Sequence, residues 1–213
     1  MLVGFEDIKF YDEKEVDGMK GWWWREKDRG AWASPKQDWE KHHKVGVLKH
    51  VHEYKVAVQA GGNQGMYPRL LAKRFDWVYT FEADPRNFQA LCLNTPYHNI
   101  IKINAALTHK NELVGVHERS PANVGETQIV PGDTEGHIPS FTIDQLALPV
   151  CNIIWLDIEG SETNAILGAS ETIQRCSPVV VVETKTAMTT EQLEGLGYKF
   201  VERCASDHIF VKV

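Results

Sequence analysis

The sequence predicts an α/β fold with a mainly parallel sheet. Three observations carry this. From Lys55 onward, short apolar runs alternate with helical segments, which is the pattern of a sheet covered on both faces by helices. One run, PVVVVE (178–183), is an unbroken apolar stretch, as expected of a central strand buried on both sides. A third run, VAVQAGGNQGMY (56–67), reads as an apolar strand that ends in a glycine turn and opens a helix. One strand–helix unit later, TFEADP (80–85) ends a second strand in a carboxylate, Glu82.

The elements follow in order. Residues 1–33 show no strand–helix alternation and carry Trp22, Trp23, Trp24 and Trp32 among charges. Ser34-Pro35-Lys36-Gln37 reads as a helix start, with Ser as the N-cap, Pro in the first turn and Gln three residues after the cap. A helix over 35–52 would put Trp39, His43, Val47 and Val51 on or near one face. Strands are expected near 55–60, 77–82, 100–103, 152–157, 178–183, 197–203 and 207–213. Helices are expected near 66–75, 85–94, 142–147, 161–170 and 189–195. Residues 118–140 are polar and rich in Gly and Pro, and read as one long functional or mobile connection. The last two strands, about a short turn, suit an antiparallel hairpin at the sheet edge.

The glycine turn and the acid point to a nucleoside cofactor. Gly61, Gly62 and Gly65 lack Cβ atoms, so the backbone there can come close to a ligand. A carboxylate at the next strand end offers acceptors to a ribose diol. The dinucleotide fingerprint G-x-G-x-x-G is not met, because Asn63 stands where its second glycine would fall. The turn is more similar to the looser (D/E)-x-G-x-G-x-G turn of S-adenosylmethionine-dependent methyltransferases, read as Gln59, Gly61, Asn63 and Gly65.

A further run, NIIWLDIEGSETNAILGA (152–169), resembles the D-x-E-G-x-E segment of the FkbM family of methyltransferases, with Asp157, Glu159, Gly160 and Glu162 in place. The family's D-x-G-A-N-x-G-x-Y motif is matched by Gln59, Gly61, Gly62, Asn63, Gly65 and Tyr67. Its F-E-P-x-P segment appears as Phe81 to Pro85, and its T-x-D-x-L segment as Thr142 to Leu146. The resemblance runs from about residue 55 to the end. It implies a Rossmann-like methyltransferase fold with a seven-stranded sheet and a C-terminal antiparallel hairpin over 55–213. Residues 1–54 would form a Trp-rich N-terminal extension. It also implies S-adenosylmethionine as methyl donor, S-adenosylhomocysteine as product, and O-methylation of a hydroxyl on a sugar or small metabolite. Two positions depart from the family pattern. Gln59 replaces an acid, and Trp155 replaces a lysine two residues before Asp157.

The cofactor set implied is Gln59, Gly61, Gly62, Asn63, Gly65, Tyr67, Glu82, Ala83, Asn104, Ala105 and Asp157. Asn104 follows the third strand and either bonds the base or closes a turn. Asp157, Glu159 and His208 are the catalytic candidates. Methyl transfer to a hydroxyl needs alignment and a group to take the proton, and Asp157 would be either the base or an orienting group. Glu183 ends the next strand and joins the cluster, whereas Glu162 suits the N-terminus of the following helix. No metal ligand set is assigned, although these four acids near one cleft could also hold a divalent cation through oxygen ligands. His137, in the long connection, is a further acid–base candidate.

Composition narrows the partners. A net charge of -6 with both signs interspersed gives no basic footprint for nucleic acid. Cys92, Cys151, Cys176 and Cys204 stand singly and read as reduced thiols of a cytoplasmic protein. Neither a signal peptide nor a membrane span is expected. The expected partner is a small-molecule or glycan acceptor, with a homo-oligomer through the N-terminal arm as an open possibility. Two other readings stay open: an NAD-dependent oxidoreductase, and a non-catalytic protein of the same fold that binds a cofactor or partner.

Overall fold

A computed structural model describes residues 7–16, 19–29, 46–120, 122–133, 136–183 and 186–213. The N-terminal segment forms an antiparallel pair, β1 (Ile8–Val16) and β2 (Met19–Arg25). The domain then runs through β3 (Val56–Ala60), α1 (Met66–Leu71), β4 (Trp77–Phe81), α2 (Pro85–Asn94) and β5 (Ile100–Ile103). Four short strands follow: β6 (Ala106–Leu107), β7 (Leu113–Glu118), β8 (Thr127–Pro131) and β9 (Ile138–Phe141). The remainder is β10 (Ile153–Leu156), α3 (Glu162–Leu167), α4 (Ser170–Cys176), β11 (Val179–Val182), α5 (Ala187–Gly195), β12 (Tyr198–Cys204) and β13 (Asp207–Lys212).

The main sheet has the order β12-β13-β11-β10-β3-β4-β5. The five strands from β11 to β5 run parallel; β13 is antiparallel to β11, and β12 to β13. Strand order reverses between β3 and β10, and in open parallel sheets a ligand sits outside the carboxyl ends at such a point. Alternation divides the core into two layers. Val180 and Val182 face one cluster with Val58, Phe81 and Ile154, while Val179 and Val181 face another with Ala57, Leu71 and Trp155. This two-sided burial is why the central strands read as apolar runs.

Caps explain several motif residues without any ligand. Asp84 accepts the Arg86 amide at the start of α2 (2.8 Å), with Pro85 in the first turn. Thr142 and Gln145 close a capping box on a 3₁₀ turn at Ile143–Leu146. The carboxylate of Asp144 accepts the amides of Glu171 and Thr172 at α4.

Two expectations need correction, and a third lies mostly beyond the described residues. The stretch 118–140 is not one open connection: β8 and β9 join β6 and β7 in a second sheet of order β6-β9-β7-β8. These strands escape notice because they are short and partly exposed, and much of their hydrogen bonding is to one another. The single helix expected near 161–170 is two, broken at Gly168, where a Cβ would lie 2.1 Å from the Thr108 carbonyl oxygen. The helix expected over 35–52 falls largely outside the described residues; within them, Leu48–His50 forms one 3₁₀ turn.

One backbone contact can be tested directly. Gly61 has φ +79°, and a Cβ there would stand 1.7 Å from the carbonyl oxygen of Asp157. Gly160 also has positive φ (+98°), but open space surrounds its missing Cβ. Gly61→Ala is expected to cost about 3 kcal/mol or more, because backbone must move. Gly160→Ala should cost about 1–2 kcal/mol, from conformation alone. Urea midpoints of the two variants check this; equal shifts would contradict the close approach.

Candidate active site

The turn after β3 is built by its own packing. Gly62, like Gly61, has no room for a side chain: its Cβ would meet Leu91 at 2.4 Å and Thr80 at 2.8 Å. Gly65 opens α1 with φ +98°. Gly61 and Gly62 therefore let the ends of β3, β4 and β10 come together, and both also line the cavity. Gln59 is fully buried and does not line the cavity. Its amide donates to the carbonyls of Ala60 and Gly61 and accepts from the Thr80 hydroxyl (2.6 Å), so it braces the turn from beneath.

Glu82 sits at the tip of β4 as expected. One carboxylate oxygen accepts the Asn63 amide (2.6 Å) and the other the Asp84 amide (2.8 Å). Burial pushes the Glu82 pKa up to about 7, although the amides of Asp84, Asn63 and Ala83 pull it back down. Asn104 donates to the backbone carbonyls of Glu82 and Ala83 and so closes this corner instead of lining it.

A cavity of about 250 Å³ extends from this corner. Gly61, Gly62, Asn63, Glu82, Ala83 and Ala105 line one part, and Tyr67, Asp157, Glu159 and Glu183 line another. The buried Oδ1 of Asn63 has no hydrogen-bond donor among the described residues. An acceptor of this kind suits a ligand hydroxyl or amine. Trp24 of the N-terminal hairpin and the segment around Asn123–Thr127 complete the walls. The tryptophan run is conspicuous in the sequence, but only the fold reveals that Trp24 lines this cavity.

The acidic end is crowded. One carboxylate oxygen from each of Asp157, Glu159 and Glu183 lies within 4.8 Å of the others. Burial lifts Asp157 well above the usual carboxylate range. Its hydrogen bond with Glu183 and the charges of Glu183, Asp207 and Glu159 add to this. Glu159 rises to about 7 through burial and then Glu183, with Arg119 opposing. Asp207 rises to about 7 by burial, opposed by the hydrogen bond from Trp155 (3.3 Å). Oxygen donors are the type that hard cations take, but here protonation relieves the same crowding. Trp155, where the family pattern has lysine, is fully buried against Tyr67 (ring centroids 5.1 Å apart) and is not a cavity residue. Burial and then Asp157 keep the Tyr67 phenol protonated far into the alkaline range.

Glu162, His208 and His137 do not line the cavity itself. Glu162 is buried and accepts the amides of Ile158 and Gly160, holding the turn into α3. His208 faces a shallower polar recess with Arg119, Glu126, Arg203 and Ser206, and its Nδ1 lies 3.2 Å from the Glu183 carbonyl. This recess shares Asn123, Glu159 and Glu183 with the cavity. His137 is exposed and lines neither.

A model of the methyltransferase FkbM domain matches residues 59–203. The chain belongs to the FkbM methyltransferase family. The match begins at Gln59, so the hairpin β1–β2 lies outside it. The fold is similar to the crystal structure of methyltransferase FkbM from Methylobacillus flagellatus KT, with 19% identity and a TM-score of 0.50. That match covers 75% of this chain and 43% of the other. Precorrin-6y C5,15-methyltransferase from Geobacter metallireducens GS-15 is similar at 13% identity and a TM-score of 0.50, over 79% and 84% of the two chains. At these identities the likeness is one of fold. No curated protein matches the chain in sequence. Among the described residues, no helix is long and apolar enough to cross a membrane.

The FkbM domain's raised acids set the sign of its pH dependence. Unfolded carboxyls titrate near 4, whereas Glu82, Glu159 and Asp207 titrate at about 7 when folded. The folded state thus holds protons that the unfolded state has released, and stability falls as pH rises from about 4 to about 7. Asp84, held low by Arg86 against the effect of burial, acts in the opposite sense but only in more acidic solution. The ligand-free protein should therefore lose about 3 °C or more in Tm between pH 5.5 and 7.5. Asp157→Asn should flatten that slope. A Tm that rises across this window would contradict the acidic crowding.

Proposed function

We propose that the protein is an S-adenosylmethionine-dependent O-methyltransferase acting on a hydroxyl of a sugar or other small polar metabolite. One observation carries the reading: a single cavity joins a ribose-type carboxylate, Glu82, to a protonatable acid cluster around Asp157. Bound S-adenosylmethionine would supply an electrophilic methyl group. Glu82 would hold the ribose diol, and the orphaned Oδ1 of Asn63 would accept a further ligand hydrogen. Ala83 and Ala105 would give apolar walls to the base. Net negative charge at Asp157, Glu159 and Glu183 favours the donor's cationic end.

A hydroxyl acceptor must lose a proton, and a base serves best when its pKa lies near the working pH. Glu159, at about 7, suits that task at neutral pH; Asp157, raised by burial, is a more strongly proton-holding partner beside it. The adjoining recess is lined with polar and charged side chains, which supports a hydroxylated acceptor over an apolar one. An NAD-dependent oxidoreductase is the weaker reading, because the turn at Gly61–Gly65 lacks the dinucleotide spacing.

Isothermal titration separates the two readings. Binding of S-adenosylmethionine or S-adenosylhomocysteine, with no heat from NAD, is expected; micromolar NAD binding with silence toward both sulfur nucleosides would end the methyltransferase reading. Glu82→Ala should weaken nucleoside binding by about 2–3 kcal/mol, the scale of hydrogen bonds to a charged group. Glu82→Gln should weaken it less.

A second variant separates binding from chemistry. With an acceptor found by screening sugars and hydroxylated metabolites, Asp157→Asn should lower turnover about 10²-fold with little change in donor affinity. Loss of the acidic limb of the pH–rate profile would mark Asp157 as the base. Retention of that limb with lowered turnover would mark it as an orienting group. Full turnover in Asp157→Asn would remove it from the mechanism.

A further inference from the structure

The hairpin β1–β2 lies outside the matched FkbM domain, yet its strongest contacts converge on the donor turn. The amide of Trp23 donates to Asn94 Oδ1 (2.7 Å). Nδ2 of Asn94 donates back to the Trp23 carbonyl (2.6 Å) and to that of Gln64 (2.7 Å). The amide of Arg25 donates to Gln64 Oε1 (2.7 Å), and Gln64 Nε2 donates to Asp28 (2.6 Å). Gln64 follows Asn63 in the cavity wall, so one buried amide joins the turn to the outer strand. Trp22 and Trp24 are both buried at the base of the hairpin, with Arg69 of α1 4.5 Å above the Trp22 ring.

Arg25 is the centre of this network. Its side chain is 5% exposed and meets Asp7 (2.9 Å), Asn87 (3.1 Å), Glu118 (2.9 Å) and Asp84 (3.8 Å). Of these partners Asn87 lines the cavity, and Asp84 and Glu118 adjoin its walls. Asp84 follows the ribose acid by two residues, and its amide bonds Glu82. Asn87 lines the cavity and donates to the Val124 carbonyl (3.2 Å). Glu118 ends β7, which leads into the lining segment Asn123–Thr127. A guanidinium fork can hold several such groups at fixed angles, and a lysine cannot.

We propose that this hairpin is a working wall of the donor cavity, with Trp24 as a nucleoside-contacting residue and Arg25 as the positioning residue that locks the hairpin to the donor turn and the lining segment. The proposal rests on the donor reading above. It makes hairpin docking and donor binding reciprocal: each ligand contact that fixes Asn63 and Gln64 also fixes β2, and the reverse.

The experiment uses the full chain and S-adenosylhomocysteine, with calorimetry for affinity and amide hydrogen exchange for docking. Trp24→Ala should weaken binding about 10-fold or more, and Trp24→Phe should restore most of it. In the wild type, the ligand should slow exchange across residues 19–29, while Val179–Val182 in the sheet centre stays unchanged. A hairpin that merely stabilises the fold would show the same exchange with and without ligand. Should Trp24→Ala lose its fold by circular dichroism, Trp24→Phe and the wild-type exchange decide. A wild type that binds no S-adenosylhomocysteine overturns the donor reading and the proposal with it. A wild type that binds, with unchanged affinity in the Trp24 variants and unchanged exchange over 19–29, overturns the proposal alone.

Discussion

The missing side chain at Gly61 lets the end of β3 touch the end of β10. The Asp157 carbonyl occupies the space where a Cβ would stand, and the Asp157 amide donates to Ala60 (3.1 Å). On the other flank, the amides of Gly61 and Gly62 both donate to Phe81 at the tip of β4. Three strand ends are thereby drawn around one turn. Glu82 and Asp157, which are 75 positions apart in the chain, share a cavity because of this. Parallel sheets create a crevice where strand order reverses; the close backbone approach sets its width.

The second constraint is electrostatic. Carboxylates gathered at strand ends in a partly dry cleft cannot all ionise together, so protons stay on. The cost to the ligand-free fold is the counterpart of the chemistry: groups held near neutrality can exchange a proton with an acceptor at ordinary pH. Tyr67, kept as a phenol, and Trp155, which donates to Asp207, border that cluster on one side, while Arg119 moderates Glu159.

Much of the sheet was legible because its central strands are buried on both faces and so read as apolar runs, VVVV over 179–182 most plainly. Glu82 was legible for a related reason, since an acid that ends an apolar strand stands out. The roles of neighbouring motif residues were not. Gln59 and Glu162 belong to motif segments and Asn104 follows a strand end, but the side chains of all three bond backbone groups, and only coordinates distinguish a brace from a ligand contact. The second sheet was hidden because its strands are short and mixed in polarity. The hairpin was hidden because no strand–helix period marks it: Trp22 and Trp24 point inward while Trp23 between them is 36% exposed.

The central claim is that the cavity between Glu82 and Asp157 is where a nucleoside methyl donor sits. A crystal structure of the complex with S-adenosylhomocysteine tests it most directly. The account predicts ribose hydroxyls within hydrogen-bond distance of the Glu82 carboxylate, a ligand donor on Asn63 Oδ1, and the sulfur directed toward Asp157. Nucleoside density outside this cavity, or a ribose with no contact to Glu82, would contradict it.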